Sequence, residues 1–164
     1  MFYGGNTMTP IYQLYERYII NTTYRAPVEL HRIYLCDISR TIRKAIRKRV
    51  RCTSRMVFIH TRALKHIYDR HIFEKKNPED FSTILNNITQ LLRHPDRLYG
   101  NKPGKRGDIL FEKSIDGKNY LCVAEIVMEE SHESLEIVSA YRSGNEYFEK
   151  FDLLWSGRTA NPPS

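Results

Sequence analysis

The chain has 164 residues, 41% of them hydrophobic and 12% aromatic, enough for one substantial core or for one core with an appended helical segment. A net charge of +7 favours a polyanionic partner over a cationic one. Three cysteines without a C-x-x-C pair suggest neither a disulfide framework nor a zinc site, and no run of eighteen apolar residues could span a membrane.

After a Gly-rich start, "TPIYQLYERYII" has a Thr cap, a Pro at the first helical position, and Ile11, Leu14, Tyr15 and Tyr18 on one face. The start has neither a charged region before an apolar run nor a small-residue cleavage site, so a soluble, cytoplasmic protein is expected. "NTTYRAPVEL" breaks the helix, and "LCDISRTIRKAIRKRV" resumes helical spacing with Ile38, Ile42, Ala45 and Ile46 as its apolar stripe. Around that stripe, residues 40–51 carry seven cations: Arg40, Arg43, Lys44, Arg47, Lys48, Arg49 and Arg51. Such a face is a solvated helix surface, a nucleic-acid contact or an anionic-membrane contact; Arg43, Lys44, Arg47 and Lys48 are its nucleic-acid-binding candidates.

"RMVFIH" is β-branched and aromatic, so a strand is expected at 55–60, followed by a helix over "TRALKHIYDRH" capped by Thr61. Asn77-Pro78 opens the most regular helix, in which Phe81, Ile84, Leu85, Ile88, Leu91 and Leu92 keep the i, i+3, i+4 rhythm until His94-Pro95. Beyond Pro95 the period becomes two: "DRLYG", "GDILFEKSI", an Asp116-Gly117 turn, "KNYLCVAEIVME", a polar break, and "LEIVSAYR". The tail is expected to form a short amphipathic helix with Tyr147, Phe148, Phe151, Leu154 and Trp155, then a frayed end.

In this order, "LKHIYDRH", the following helix, "LLRHPDRLYGNK", "GDILFEKSIDGKNYLCVAEIV" and "LEIVSAYRSG" resemble the phage-associated nuclease domains of the barnase, EndoU, colicin and RelE-like (BECR) fold. The resemblance covers about residues 55–155. It implies an α+β fold with N-terminal helices packed on a four-stranded antiparallel sheet, and metal-independent RNA cleavage of the kind found in bacterial toxins and phage effectors. The expected domains are a basic helical N-terminal segment, 1–54, and a nuclease domain, 55–164. RNA is the expected partner, with transfer RNA as a substrate through the resemblance alone, and an acidic antitoxin or immunity protein as a further partner; no cofactor and no metal are expected.

Metal-free RNA cleavage uses the 2′-OH as nucleophile, so the enzyme supplies a base, an acid and cations for the phosphorane. Histidine suits both proton roles, because its unperturbed pKa is about 6.5. At about 100° per residue, Leu64, Ile67, Tyr68 and His71 share an apolar face, and Lys65, His66, Asp69 and Arg70 lie on the polar side. The two histidines therefore diverge by about 140°, and one helix cannot easily aim both at one phosphate. His71, on the inward face, is read as catalytic or as a satisfied structural histidine; His66 as solvated, phosphate-binding or catalytic. Zinc held by His60, His66 and His71 would need three convergent imidazoles without a nearby cysteine.

The Asp116-Gly117 turn sets Lys113 opposite Tyr120 and Phe111 opposite Cys122. Lys113 then lies on a mainly apolar face, snorkelling at the sheet edge or pointing into a cleft. In "SAYR", Ser139 and Tyr141 share one face and Ala140 and Arg142 the other; strand ends of this kind in similar nucleases make Tyr141 and Arg142 catalytic candidates. Glu125 and Glu136 are alternative bases, since the barnase branch uses a glutamate, but alternation alone does not say which face is the core. "GNKPGKRGD" brings Lys102, Lys105 and Arg106 into a loop that reads as mobile enough to wrap a nucleic-acid backbone.

Overall fold

The computed structural model describes residues 9–144 and 151–157. Helix α1, Pro10–Tyr18, forms as its sequence dictates: Thr9 accepts a hydrogen bond from the Tyr12 amide, Pro10 occupies the first turn, and Ile11 and Leu14 are buried. The segment after it differs from expectation. Arg32–Asp37 is a strand, β1, and only Arg40–Ile46 is helical, α2, capped by Ser39. The helical spacing of residues 35–38 misled because Cys36 is buried by a strand's alternation and Ile38 by the loop that follows.

Strand β2, Met56–His60, pairs antiparallel with β1, so a boundary at residue 54 would fall between paired strands. Ile42, Ala45 and Ile46 of α2 enter the same hydrophobic cluster as the sheet, and each buried isoleucine stabilises it by about 1.5–3 kcal/mol. Helix α3, Thr61–Asp69, follows directly. Thr61 is not its cap: the hydroxyl donates to the Glu29 carbonyl and accepts from the His31 amide, stitching the loop before β1 onto the helix. Lys65 and Asp69, expected on a polar surface, are buried as an ion pair of 2.7 Å, with the Lys65 ammonium also donating to Thr22 Oγ1 and the Thr23 carbonyl. Helix α3 then widens into a π-helical turn, Arg70–Glu74.

Helix α4, Pro78–Arg93, matches its apolar rhythm, with Asn77 accepting from the Asp80 amide at 3.1 Å. Strands β3, Arg97–Gly100, β4, Ile109–Ile115, β5, Lys118–Glu129, and β6, His132–Ser143, follow. The β4–β5 register is the expected one, Lys113 opposite Tyr120 and Phe111 opposite Cys122. Asp116 and Gly117 both have positive φ, as a two-residue hairpin turn requires. Asp152–Ser156 is strand β7 rather than helix, placing Leu154 and Trp155 beside β3; Tyr147 and Phe148 lie outside the described residues.

Among the described residues the sheet therefore has seven strands, not four, in the order β1-β2-β6-β5-β4-β3-β7, and it is mixed, because β2 and β6 run parallel through Val57–Leu135 and Phe58–Glu136. One face, with Val57, Ile59, Phe111, Tyr120, Cys122 and Leu135, shares its core with residues of α1, α2, α3 and α4. The other carries a smaller cluster of Tyr99, Leu110, Leu121 and Val123 that includes no helical residue among those described. Among the described residues no helix is long and apolar enough to cross a membrane.

Candidate nucleic-acid cleavage site

Two adjoining cavities lie on this second face. Beyond residue 136 strand β6 no longer pairs with β2, and α3 runs beside it instead, forming one wall. The loop of residues 101–108 forms the opposite wall. One cavity, of about 560 Å³, has a floor of Leu110, Val123, Val138, Ser139 and Tyr141. Its other lining residues include six Lys or Arg (Arg70, Lys75, Lys102, Lys105, Arg106 and Arg142) together with His66, and no described carboxylate. The second, of about 730 Å³, sets apolar Leu30, Ala63, Val127, Ile137 and Val138 beside Glu125, Glu129 and Glu136, with Arg62 and His60 also at its wall. His66, Arg106 and Val138 line both, so they mark the junction.

A β-bulge makes this floor. Val123 pairs with Ser139 but Ala124 with Ile137, leaving Val138 as the extra residue. Without it, Glu136 and Tyr141, five positions apart, would face opposite sides of the sheet; the bulge puts both on the open face. Glu136 pairs across the strands with Glu125. It is 6% exposed and anchored by Arg32 Nε at 2.7 Å and His60 Nε2 at 3.1 Å, whereas Glu125 stands at the cavity wall with Arg106 Nε 3.4 Å away.

The basic loop is tied rather than loose. Asn101 is buried; its side-chain amide donates to the carbonyls of Arg106 and Gly107 at 3.0 and 3.1 Å, and its side-chain oxygen accepts from the Lys102 amide at 2.8 Å. Gly107 has φ +96°, and a Cβ there would collide with Val123. Arg49 clamps the loop from outside, donating to the Asn101 carbonyl and, at 2.8 Å, to Asp152 Oδ2. Lys102 is steered over the Phe151 ring, 4.9 Å from its centroid, and Arg70 over the Tyr141 ring at 5.2 Å.

The family model described as phage-Barnase-EndoU-ColicinE5/D-RelE like nuclease 3 (PBECR3) matches residues 37–150. The chain belongs to this nuclease family. No curated protein and no solved structure matches it. The matched span contains both cavities' walls except Leu30 and Phe151, and it crosses the 54/55 boundary expected from sequence.

In this PBECR3 domain the candidates read from sequence separate into two groups. His66, Tyr141, Arg142, Lys102, Lys105 and Arg106 come together at the cationic cavity. Arg142 reaches it from the end of the helix-covered face, tied to Asp80 Oδ2 at 3.2 Å. His71 does not reach it. Its ring is 0% exposed, its Nδ1–H donates to the Ile67 carbonyl at 2.8 Å, and Nε2 is buried without a hydrogen bond. Burial holds the His71 pKa below the ordinary imidazole value, the Ile67 hydrogen bond opposing the shift only in part, so the ring is neutral at pH 7. Lys113 is also elsewhere, donating to the His94 carbonyl at 2.7 Å.

Of the basic run, Arg43 donates to the Thr53 carbonyl and Lys48 to the Leu154 carbonyl, while Lys44 and Arg47 are exposed; none lines either cavity. Sequence reasoning missed Arg70, Lys75 and Ser139 as groove residues. Arg70 lay on the polar side of the helical wheel next to His66, which was the available signal. Lys75 gave none, because it arrives through the π-helical turn. Among the described residues no three His, Cys, Asp or Glu side chains are placed to hold a metal ion.

Proposed function

We propose that this domain is an endoribonuclease that cleaves RNA by 2′-OH attack in the groove between α3 and the 101–108 loop. The observation that carries the reading is the cavity lined by six Lys and Arg with His66 and no described carboxylate, a potential suited to a phosphodiester backbone. His66 stands at the junction and is exposed, so it can meet a substrate atom; it serves as the base that takes the 2′ proton. As the O2′–P bond forms and the P–O5′ bond breaks, Tyr141 on the groove floor supplies a proton to the departing 5′ oxygen. Arg70 and Arg106 stabilise the charge that builds on the non-bridging oxygens. The products are a 2′,3′-cyclic phosphate and a 5′-hydroxyl.

The test is incubation of the purified protein with total RNA, transfer RNA included, in EDTA and again with magnesium, comparing wild type with His66→Ala and Tyr141→Phe and analysing product ends. Cyclic-phosphate ends in EDTA that disappear in both variants are the expected result. Intact RNA retarded on a gel would instead identify a binding module, and cleavage that requires magnesium would remove the proton-transfer roles.

A further inference from the structure

The two cavities differ in character although they share a border, since only the second is lined by described carboxylates. The cationic one fits a sugar-phosphate backbone. The other has apolar walls from Leu30, Ala63, Val127 and Val138, and the cross-strand glutamates stand at its floor and side. Its three glutamates offset Arg62 and Arg106, so it lacks the cationic excess that suits a phosphate in the first cavity, and a purely apolar group would bury Glu125 against only its 3.4 Å Arg106 contact. A flat, uncharged heterocycle that donates hydrogen bonds suits both walls and carboxylate.

We infer that this second cavity receives one unpaired nucleobase of the strand whose backbone lies in the cationic groove, and that Glu125 selects bases carrying an exocyclic amino group. This rests on the ribonuclease reading for the identity of the strand. The shared residues His66, Arg106 and Val138 put the two compartments side by side, as a base and its own phosphate require. Glu125 is the reader and Glu136 is not, because Glu136 is buried with Arg32 Nε on it at 2.7 Å, while Glu125 is a quarter exposed and meets the exposed Arg106 at a longer 3.4 Å. A carboxylate accepts hydrogen bonds and cannot donate. Adenine, cytosine and guanine each offer it an amino group from the pairing edge. Uracil presents a single N–H between two carbonyls, and those carbonyls face the carboxylate unfavourably. A base buried in this way cannot be paired, so the substrate is single-stranded at that nucleotide.

The experiment uses fluorescently labelled octamers of A, C and U and a mixed octamer containing one G among uridines, with binding followed by anisotropy and cleavage followed separately in EDTA. Wild type is expected to favour the amino-bearing sequences over oligo-U by about tenfold. In Glu125→Gln, whose amide can donate as well as accept, the ratio falls towards one with the thermal melt unchanged. Cleavage without base preference would overturn the inference and leave the nuclease standing. Selective binding without cleavage would keep the base pocket and overturn the nuclease reading. A preference that persists in Glu125→Gln would remove Glu125 as the reader.

Discussion

Residues 40–51 concentrate seven cations in twelve positions, whereas the six described Lys and Arg of the groove come from three separate stretches, 70–75, 102–106 and 142. The contiguous run draws the eye in the sequence, yet three of its members are held by their own chain: Arg43 by Thr53, Lys48 by Leu154, and Arg49 by Asn101 and Asp152. The dispersed set converges on one concave surface. Charge density along a chain measures the attraction of a polyanion at a distance, but a site needs cations that face one another across a cavity, and only packing can bring that about.

The sharpest test of this contrast is His66→Ala beside a triple charge reversal of the exposed members of the run, Arg40, Lys44 and Arg47, to glutamate. Loss of a general base should lower RNA cleavage by about 100-fold or more. The triple variant should change cleavage of a short oligonucleotide by less than about threefold, since none of the three residues lines either cavity and exposed charges are screened by salt. Equal losses would erase the distinction between the two regions.

A smaller effect is expected when the groove's cations are removed singly. Lys105→Ala should weaken binding to single-stranded RNA and reduce the slope of log affinity against log salt by about 0.7. Salt titration of the variant against wild type measures it; an unchanged slope would place Lys105 outside the contact. Arg49→Ala probes the boundary between the regions. It leaves the Asn101 carbonyl without its guanidinium partner, which should cost about 1–3 kcal/mol in chemical denaturation and loosen the loop that carries Lys102, Lys105 and Arg106.

His71 gives a pH-dependent difference from His66. Its pKa is lowered by folding, so below about pH 6.5 the unfolded chain binds a proton that the native ring does not. Stability contributed at neutral pH is therefore lost as pH falls from about 6.5 towards the native pKa, at up to roughly 1.4 kcal/mol per pH unit. His71→Gln should be less stable at pH 7.5 but should lack this component of the decline when denaturant midpoints are compared at pH 7.5 and 5. The smallest effect concerns the thiols: burial raises the Cys36 and Cys52 pKa values to about 11, so a thiol reagent at pH 8 should label them only as fast as the chain opens.

Helix α1, helix α4, strand β2 and the β4–β5 hairpin were legible because each is specified locally, by Thr9 and Pro10, by Asn77-Pro78 and an unbroken apolar rhythm, by "MVFIH", and by Asp116-Gly117. The basic loop, His66, Tyr141 and Arg142 were legible as candidates, as was the nuclease family. Strands β1 and β7 were not, since "RIYLCD" and "DLLWS" carry weak alternation and become strands by pairing with β2 and β3. Tertiary structure alone decided three things. It sealed His71 inside the core, it spent Arg49 and Lys113 on backbone carbonyls, and through the bulge at Val138 it turned Glu136 and Tyr141 to the same face. The physical reason is common to all three: a sequence records the period of each segment, but which side of that period meets the core, and where the period slips by one residue, depend on partners distant in the chain.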